Sequence, residues 1–250
     1  MNKKYALILA FLLAGLVVSE VYLIKATQPS SSLESVIVSR VIDGDTLKLE
    51  DGRTIRLLNI NSPEKGTPNA KLSSDFLKLF ENKSISIEIT GIDKYKRTLA
   101  RLYAPDYLNL KLVELGLSSK FLVSDSELKL FSDAEKSAVK NAAGIWNKSE
   151  YFGCFESEID KYNEIIFLKN KCSYSINMAG WFLKDESRKT YTFVITLSNS
   201  GQINLHSEKG NDNSTDLFWQ STSPIWNNDR DTLYLFDAQG RLAHHEAYGY

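Results

Sequence analysis

Hydrophobic and polar residues alternate through much of residues 34–103, with the period of two that is typical of half-buried β-strands. Residues 84–90 alternate strictly, and four further β-rich runs cover residues 36–41, 46–49, 54–58 and 98–103. Turn signals such as Asp51-Gly52 separate neighbouring runs. The pattern therefore predicts five short strands in this part of the chain.

Helical spacing of apolar residues follows in three places. One face of the first predicted helix carries Leu72, Phe76, Leu77 and Phe80. A second helix over residues 108–115 should stop at Gly116, and a third should begin near Ser126 or Ser132, where a capping box fits, and end near Gly144. Five strands with one intervening and two trailing helices predict an α+β domain: a five-stranded, OB-fold-like Greek-key barrel with helices packed outside.

Beyond Trp146 the helical period disappears. Strand-like runs cover residues 164–168, 191–197, 202–205 and 232–236, and Gly, Asn, Asp and Ser residues separate them. This pattern predicts an all-β sandwich. We place one domain at residues 34–149 and a second at 153–250.

The first 26 residues differ from the rest of the chain. Lys3 and Lys4 precede an apolar run over residues 5–24 that only Glu20 interrupts. The run is just long enough for a membrane anchor, whose lysines would stay inside. A cleaved signal peptide with a small-residue site at 17–19 is the alternative. In either case residues 27–33 form a linker, and the chain is expected to be extracytoplasmic, anchored or secreted.

The chain contains only two cysteines, Cys154 and Cys172. An even pair in an exported protein predicts a disulfide. A metal site at these cysteines lacks further ligands, because His206, His244 and His245 show no ligand spacing.

Composition and charge limit the kinds of partner. The chain is 43% hydrophobic, as is ordinary for a globular protein, and its net charge is only −1. The acidic excess falls on residues 151–250. A polyanion would therefore bind to a local basic patch on the first domain.

Two segments concentrate polar residues that carry chemistry. Asp43 and Asp45 crowd one turn, and Arg56 stands in an apolar strand, where an unpaired charge is costly. Glu64 follows Pro63 at the start of a loop. Each segment alone also suits an ordinary turn or a surface strand.

Five motifs taken together are more specific. Asp-Gly-Asp-Thr at 43–46, Arg-Leu-Leu at 56–58, Ser-Pro-Glu at 62–64, Asp-Lys-Tyr-x-Arg at 93–97 and Ala-Gly-Ile-Trp at 143–146 occur in this order. The region over about residues 34–149 resembles the staphylococcal nuclease (thermonuclease) family. The resemblance implies a Ca²⁺-dependent endonuclease, a phosphodiesterase that acts on DNA, RNA or both.

The family's site residues transfer position by position. Asp45, Asn61 and the carbonyl of Ser62 would bind Ca²⁺, with Asp43 behind them; a hard cation of this kind prefers oxygen ligands. Arg56 and Arg97 would contact the scissile phosphate, which suits guanidinium geometry. Glu64 would orient or deprotonate the attacking water. Lys94 and Tyr95 would bind the nucleotide substrate.

The sequence departs from the family pattern at two points. Asn61 stands where the family has an Asp, so the site lacks one carboxylate. Only Phe121 is near the position of the family's aromatic pair for nucleotide stacking. A catalytically lapsed nucleic-acid-binding module therefore remains an alternative.

The second domain resembles the lamin-tail domain. The resemblance rests on Gly-Trp-x-Leu-Lys-Asp at 180–185, Tyr-Thr-Phe at 191–193, Trp219, Ile-Trp-Asn-Asn at 225–228 and the segment Leu233 to Gly240. It implies an immunoglobulin-like sandwich over about residues 153–250, whose partner the sequence does not indicate. An envelope interaction protein, with its function in this sandwich, is the third interpretation.

Overall fold

A computed structural model describes residues 33–67 and 69–250 of the chain. Residues Ser35–Tyr250 form one compact unit, which contains all the elements described below apart from Glu34, the first residue of β1. The predicted membrane segment lies outside the described residues. Within them, every helix is too short or too polar to cross a bilayer.

Five strands close into a barrel, as the alternation predicts. These strands are β1 (Glu34–Val41), β2 (Thr46–Leu49), β3 (Thr54–Leu57), β5 (Ser84–Ile92) and β6 (Thr98–Tyr103), and their order around the barrel is β1-β2-β3-β6-β5. β2 pairs antiparallel with β1 and with β3, β5 pairs antiparallel with β6, and β3 pairs parallel with β6. A two-stranded ribbon of β4 (Ile60–Asn61) and β7 (Ser119–Lys120) lies beside the barrel and positions Asn61. The prediction of a five-stranded barrel is confirmed.

Three helices accompany the barrel: α1 (Ala70–Lys78), α2 (Leu108–Glu114) and α3 (Leu128–Lys140). A 3-10 turn, Gly144–Trp146, follows α3. The capping box expected at Ser132 is wrong, because α3 begins at Leu128 and Ser132 is buried inside it. The carboxylate of Glu135 instead accepts a hydrogen bond from the backbone N–H of Lys120, at 2.9 Å.

The second region is all β, as predicted. One sheet has the order β12-β11-β16-β17, and its strands are β11 (Phe182–Lys184), β12 (Thr190–Thr192), β16 (Asp231–Phe236) and β17 (Leu242–Tyr248). The other has the order β15-β14-β9-β8, with β8 (Phe155–Asp160), β9 (Ile165–Asn170), β14 (Gln202–His206) and β15 (Asp216–Phe218). Side chains from both sheets share one apolar core, so the two sheets form a sandwich.

A small pair, β10 (Ile176–Asn177) with β13 (Thr196–Leu197), completes the sandwich. The single strand expected at residues 191–197 is divided, because β12 pairs with β11 whereas β13 pairs with β10. Cys154 and Cys172 form a disulfide at the edge of the sandwich core.

Barrel and sandwich share a third apolar cluster. Ala138, Val139, Ile145 and Trp146 from the end of the barrel region pack with Tyr234, Phe236 and Leu242 of the sandwich. The rings of Trp146 and Tyr234 stack with centroids 5.2 Å apart. Buried apolar contacts of this kind fix the two parts of the compact unit against each other.

Candidate active site

The turn between β1 and β2 carries the first acidic residues of the site. Asp43 accepts a hydrogen bond from the backbone N–H of Asp45 at 3.0 Å, which closes the turn. Gly44 is required here, because a Cβ atom at this position would lie 2.6 Å from the Cβ of Ser62 and 2.5 Å from that of Ser73. The turn can therefore pack directly against the loop that carries Ser62.

Asp45 is buried, with 3% of its surface exposed, and is surrounded by donors. Its Oδ2 accepts the backbone N–H and the hydroxyl of Ser62 at 3.0 and 3.1 Å, and its Oδ1 accepts the hydroxyl of Thr46 at 3.0 Å. The Nε of Arg56 lies 3.3 Å from Oδ1. This carboxylate is the buried centre of the site.

Arg56 lies on β3 opposite Thr46 of β2 in the barrel register. Its guanidinium donates to the backbone carbonyls of Leu57 and Ile60 and, at 2.6 Å, to Oδ1 of Asn61. Burial lowers the pKa of Arg56, and the negative charge of Asp45 opposes this shift. Arg56 is thus a buried charge with several protein partners, and only a part of its hydrogen-bond capacity remains for a ligand.

Arg97 reaches the same region from the turn before β6. Asp93 orders this turn by accepting the backbone N–H groups of Tyr95 and Arg97, and its carboxylate lies 2.8 Å from Nε of Arg97. Nη1 of Arg97 lies 3.4 Å from the hydroxyl of Thr46. The Arg97 side chain is 30% exposed, so it can meet a ligand from solvent.

Lys94 and Tyr95 lie beside Arg97 on the same turn. The Lys94 ammonium lies 5.1 Å, and the Arg97 guanidinium 5.5 Å, from the centroid of the Tyr95 ring, which is exposed. Cation–π contacts of this length hold an exposed ring in place. The two predicted substrate-binding residues are therefore at the rim of the site.

The surroundings of Asp43 and Asp45 shift the pKa values of the two carboxyl groups in opposite directions. Burial alone would raise the pKa of Asp45, but Arg56, the Ser62 N–H and Arg188 together hold it below its usual value. Burial, followed by the neighbouring Asp45 charge, raises the pKa of Asp43. Asp45 is the carboxylate that the site maintains in its charged form.

One site residue was absent from the sequence prediction. Arg188 belongs to the hairpin between β11 and β12 of the sandwich, yet its Nη1 donates to the carbonyl of Ser62 at 2.9 Å and lies 3.5 Å from Oδ2 of Asp45. Its Nε lies 3.2 Å from a carboxylate oxygen of Glu64. No local motif marks Arg188; the only indirect signal was the missing carboxylate at position 61.

Two connected clefts open around these residues, each of about 540 Å³, within the size range of small-ligand sites. Both are lined by Tyr95, Arg97 and Arg188. The Asp45 cleft adds Asp43, Asp45, Ser62 and Glu64 to this lining. The Tyr95 cleft adds Arg56, Asn61, Lys94, Phe121 and Leu122. All of the predicted barrel residues thus line one continuous region.

The predicted calcium ligands do not fit a Ca²⁺ ion in this arrangement. Calcium takes six to eight oxygen ligands. Here Oδ1 of Asn61 accepts a hydrogen bond from Arg56, and Nδ2 of Asn61 donates one to the carbonyl of Glu186 at 2.8 Å. The carbonyl of Ser62 accepts a hydrogen bond from Arg188. Among residues 33–67 and 69–250, no group of three or more His, Cys, Asp and Glu side chains has metal-binding geometry. A guanidinium lies among the oxygens that were expected to hold the cation.

Comparison with known proteins gives matches for both parts of the chain. The profile of the staphylococcal nuclease homologue family matches residues 54–148, and that of the Lamin Tail Domain matches residues 154–250. The nuclease match begins at β3, although β1 and β2 complete the same barrel.

Several known proteins share part of this sequence, among them the following three relatives. A thermonuclease of Staphylococcus intermedius is 35% identical over 130 residues, which covers 46% of this chain and 77% of the relative. An uncharacterized endonuclease of Escherichia coli O157:H7 is 40% identical over 77 residues, 29% of this chain and 50% of the relative. Endonuclease YhcR of Bacillus subtilis (strain 168) is 30% identical over 139 residues, 46% of this chain but 11% of the relative.

The chain therefore spans half of the length of the Escherichia coli relative and much less of the Bacillus subtilis one. Against the Staphylococcus intermedius protein, both the identity and the coverage are high enough to establish kinship. The chain belongs to the staphylococcal nuclease family, and a lamin tail domain follows its nuclease-type barrel.

Proposed function

We propose that this protein is a nuclease that hydrolyses phosphodiester bonds of DNA, RNA or both in the Asp45 cleft. One observation carries the proposal: Glu64, Arg97 and Arg188 line a solvent-open cleft above the buried Asp45–Arg56 pair. The relatives named thermonuclease and endonuclease support the same reaction class. A carboxylate beside several guanidiniums is the set of groups that phosphoryl transfer to water needs.

In this proposal Glu64 accepts a proton from the attacking water. The water oxygen forms a bond to phosphorus while the bond from phosphorus to one sugar oxygen breaks, and that oxygen leaves with a proton from solvent. Negative charge develops on the other phosphate oxygens, where Arg97 donates hydrogen bonds. The buried guanidinium of Arg56 contributes positive charge to this step and donates a hydrogen bond to Asn61.

The Tyr95 cleft suits the nucleotide next to the scissile phosphate. The exposed Tyr95 ring and the side chains of Phe121 and Leu122 offer apolar surface for a base, and Lys94 offers a positive charge for a phosphate. Stacking on aromatic rings with cations alongside binds single strands with little sequence preference. In this proposal Phe121 and Tyr95, which line the same cleft, take the place of the family's aromatic pair.

The calcium requirement expected from the resemblance is not part of this proposal. The oxygen atoms of Asp45, Asn61 and Ser62 that would bind the ion accept hydrogen bonds from protein groups instead. Location outside the cytoplasm, by a membrane anchor or by secretion, remains the proposal made from residues 1–26. The Cys154–Cys172 disulfide supports an oxidising compartment.

A cleavage assay tests the proposed function. Labelled single-stranded DNA, duplex DNA and RNA are incubated with the wild type, Glu64→Gln and Arg97→Ala, with Ca²⁺ and with chelator. We expect cleavage by the wild type and a loss of about 10²–10³-fold in each variant. Wild-type turnover in Glu64→Gln would overturn the assignment. Salt-sensitive oligonucleotide binding without cleavage would favour the lapsed module, and neither binding nor cleavage would favour an interaction protein.

A further inference from the structure

The hairpin turn Asp185–Lys189, which we name the Arg188 turn, projects from the sandwich into the cleft of the barrel. At its tip Arg188 has a φ of 75°, a left-handed conformation that is uncommon for a residue other than glycine. Its guanidinium contacts Asp45, the carbonyl of Ser62 and Glu64. The sandwich thus contributes a cation to the centre of the nuclease site.

Hydrogen bonds within the turn hold this shape. The carboxylate of Asp185 accepts the backbone N–H of Lys189 at 2.7 Å and the hydroxyl of Ser187 at 2.6 Å. The backbone N–H of Arg188 donates to the carbonyl of Asp185 at 3.2 Å. The chain therefore adopts the left-handed turn without help from a ligand.

A second set of contacts fixes the turn to the barrel. The carbonyl of Glu186 accepts Nδ2 of Asn61, and its carboxylate lies 2.8 Å from Nζ of Lys120. Glu186 is 4% exposed and Lys120 is 2% exposed. Because these contacts are buried, moving the turn out of the cleft would expose or strand charged groups. The turn is therefore a fixed part of the site.

The charge of Arg188 matches a change in the barrel sequence. The family has a second carboxylate at the position of Asn61, and here the amide of Asn61 is used to bind Arg56 and the Arg188 turn. The cleft therefore combines one fewer acidic ligand with one added guanidinium. Both differences make the cleft more positive, by one unit each, which is the direction in which a bound cation would change its charge.

Arg188 also keeps capacity for a substrate. Its side chain is 28% exposed and lines both clefts together with Arg97 and Tyr95. A guanidinium has five N–H donors in a planar fork that matches two phosphate oxygens. Nη1 and Nε contact Asp45, Ser62 and Glu64, and the side chain borders the same clefts as Arg97.

We infer that Arg188 is a further phosphate-binding residue of the nuclease site, and that its guanidinium supplies the positive charge that a bound metal ion would otherwise supply there. This inference rests on the proposed function. It makes the lamin tail domain a direct component of the active site, and cleavage then proceeds without an added divalent cation. The opposite role, a turn that blocks the site until it is displaced, is an outcome of the test below.

The test compares the wild type with Arg188→Ala, Arg188→Lys and Lys189→Ala. Lys189 is the matched control, since it lies on the same turn but its ammonium donates to the carbonyl of Pro224, away from the cleft. In chelator we expect wild-type cleavage to persist and Arg188→Ala to lose about 10²–10³-fold in kcat/KM. Arg188→Lys should retain charge without the fork and fall between them. Lys189→Ala should cleave as the wild type does.

Two readouts are independent of cleavage. Calorimetric titration with Ca²⁺ should show no binding to the wild type, and binding should appear in the double variant Arg188→Ala with Asn61→Asp. Fluorescence anisotropy of a labelled oligonucleotide should show weaker binding by Arg188→Ala and a salt slope smaller by about one phosphate contact. Circular dichroism verifies that each variant is folded.

Three results would overturn the inference. They are a wild type that cleaves only with Ca²⁺, an Arg188→Ala variant that cleaves faster than the wild type, and oligonucleotide binding that Arg188→Ala leaves unchanged. A wild type that cleaves under no condition defeats the proposed function alone, because the anisotropy and calcium titrations still decide the role of Arg188.

Discussion

Two of the cations between the barrel and the sandwich, Lys120 and Arg188, differ in the use of their hydrogen bonds. Lys120, from the barrel, contacts Glu135 at 2.9 Å and Glu186 and Thr232 at 2.8 Å, in a cluster that is closed to solvent. Arg188, from the sandwich, contacts acidic groups that border an open cleft. A cation whose donors all end on buried partners maintains structure, whereas one that faces solvent between carboxylates is available for chemistry.

The Lys120 cluster also differs in its charge state. Burial alone would lower the pKa of Lys120, but the carboxylates of Glu135 and Glu186 outweigh burial and raise it. Lys120 therefore stays charged inside the protein. Its removal leaves two buried acidic side chains without their positively charged partner.

The largest effect is expected at this cluster. Lys120→Ala should lower the free energy of unfolding by about 3–5 kcal/mol, because it leaves buried carboxylates unpaired. Urea unfolding monitored by circular dichroism measures the loss. The matched control is Lys111→Ala on α2, whose pair with Glu114 is exposed and should contribute about 0.5 kcal/mol or less. Equal losses in the two variants would show that burial does not distinguish the clusters.

The next effect is a loss of activity without a loss of stability. Glu64 is 63% exposed at the mouth of the cleft, so Glu64→Gln should leave the free energy of unfolding unchanged. Its kcat should fall by about 10²–10³-fold, which corresponds to about 2.7–4 kcal/mol of transition-state stabilisation. Steady-state cleavage and urea unfolding of the same preparation provide both numbers, with Glu114→Gln as the control. A stability loss as large as the activity loss would place Glu64 in the structural class with Lys120.

The disulfide of the sandwich, like the Lys120 cluster, should contribute to stability and not to activity. Reduction of the Cys154–Cys172 disulfide should cost on the order of 3 kcal/mol of stability in the chain-entropy account, since it closes a loop of 18 residues. The catalytic constants should not change, because neither cysteine lines the clefts. Thermal unfolding with and without reductant measures the first effect. Mass analysis of alkylated, non-reduced protein shows whether the bond is present, and two free thiols would refute it.

The smallest effect is a shift in acidity. Because Asp45 has a lowered pKa in the folded protein, its charge stabilises the fold above its ordinary pKa of 3.8, and this contribution is lost as the pH falls through the folded value. Arg188→Ala removes one of the causes, so the pKa of Asp45 should rise and acid unfolding should begin at a higher pH. NMR titration of the Asp45 carboxyl measures the change. The same titration in Lys189→Ala should match the wild type; an unmoved pKa in Arg188→Ala would argue against the contact.

The barrel was predictable because its signals are local. Alternation located all five strands within a few residues, and Gly116, with its φ of 65°, ended the second helix as expected. The motifs around Asp45 and Arg97 predicted side chains that lie close together, and these side chains line the same cleft. The capping box at Ser132 failed because the apolar face of α3 begins earlier, at Leu128.

The rest depended on contacts between distant segments. Arg188 is 143 positions from Asp45 and lies on a turn without a distinctive pattern. Likewise, Glu135 resembled half of a capping box, while its partners Lys120 and Tyr234 come from a two-stranded ribbon and from the sandwich. Only the Asn61 departure indicated that the site differs from the family pattern, and no local pattern pointed to Arg188.

The most direct test is a crystal structure of the Glu64→Gln protein with a bound single-stranded oligonucleotide, grown in the presence of Ca²⁺. This variant retains Arg97 and Arg188 and removes only the group proposed to accept the proton. The account predicts one phosphate within hydrogen-bond distance of both Arg97 and Arg188, with the Arg188 turn still anchored by Glu186. A strand bound elsewhere, or a displaced turn with Ca²⁺ between Asp45 and the carbonyl of Ser62, would contradict it.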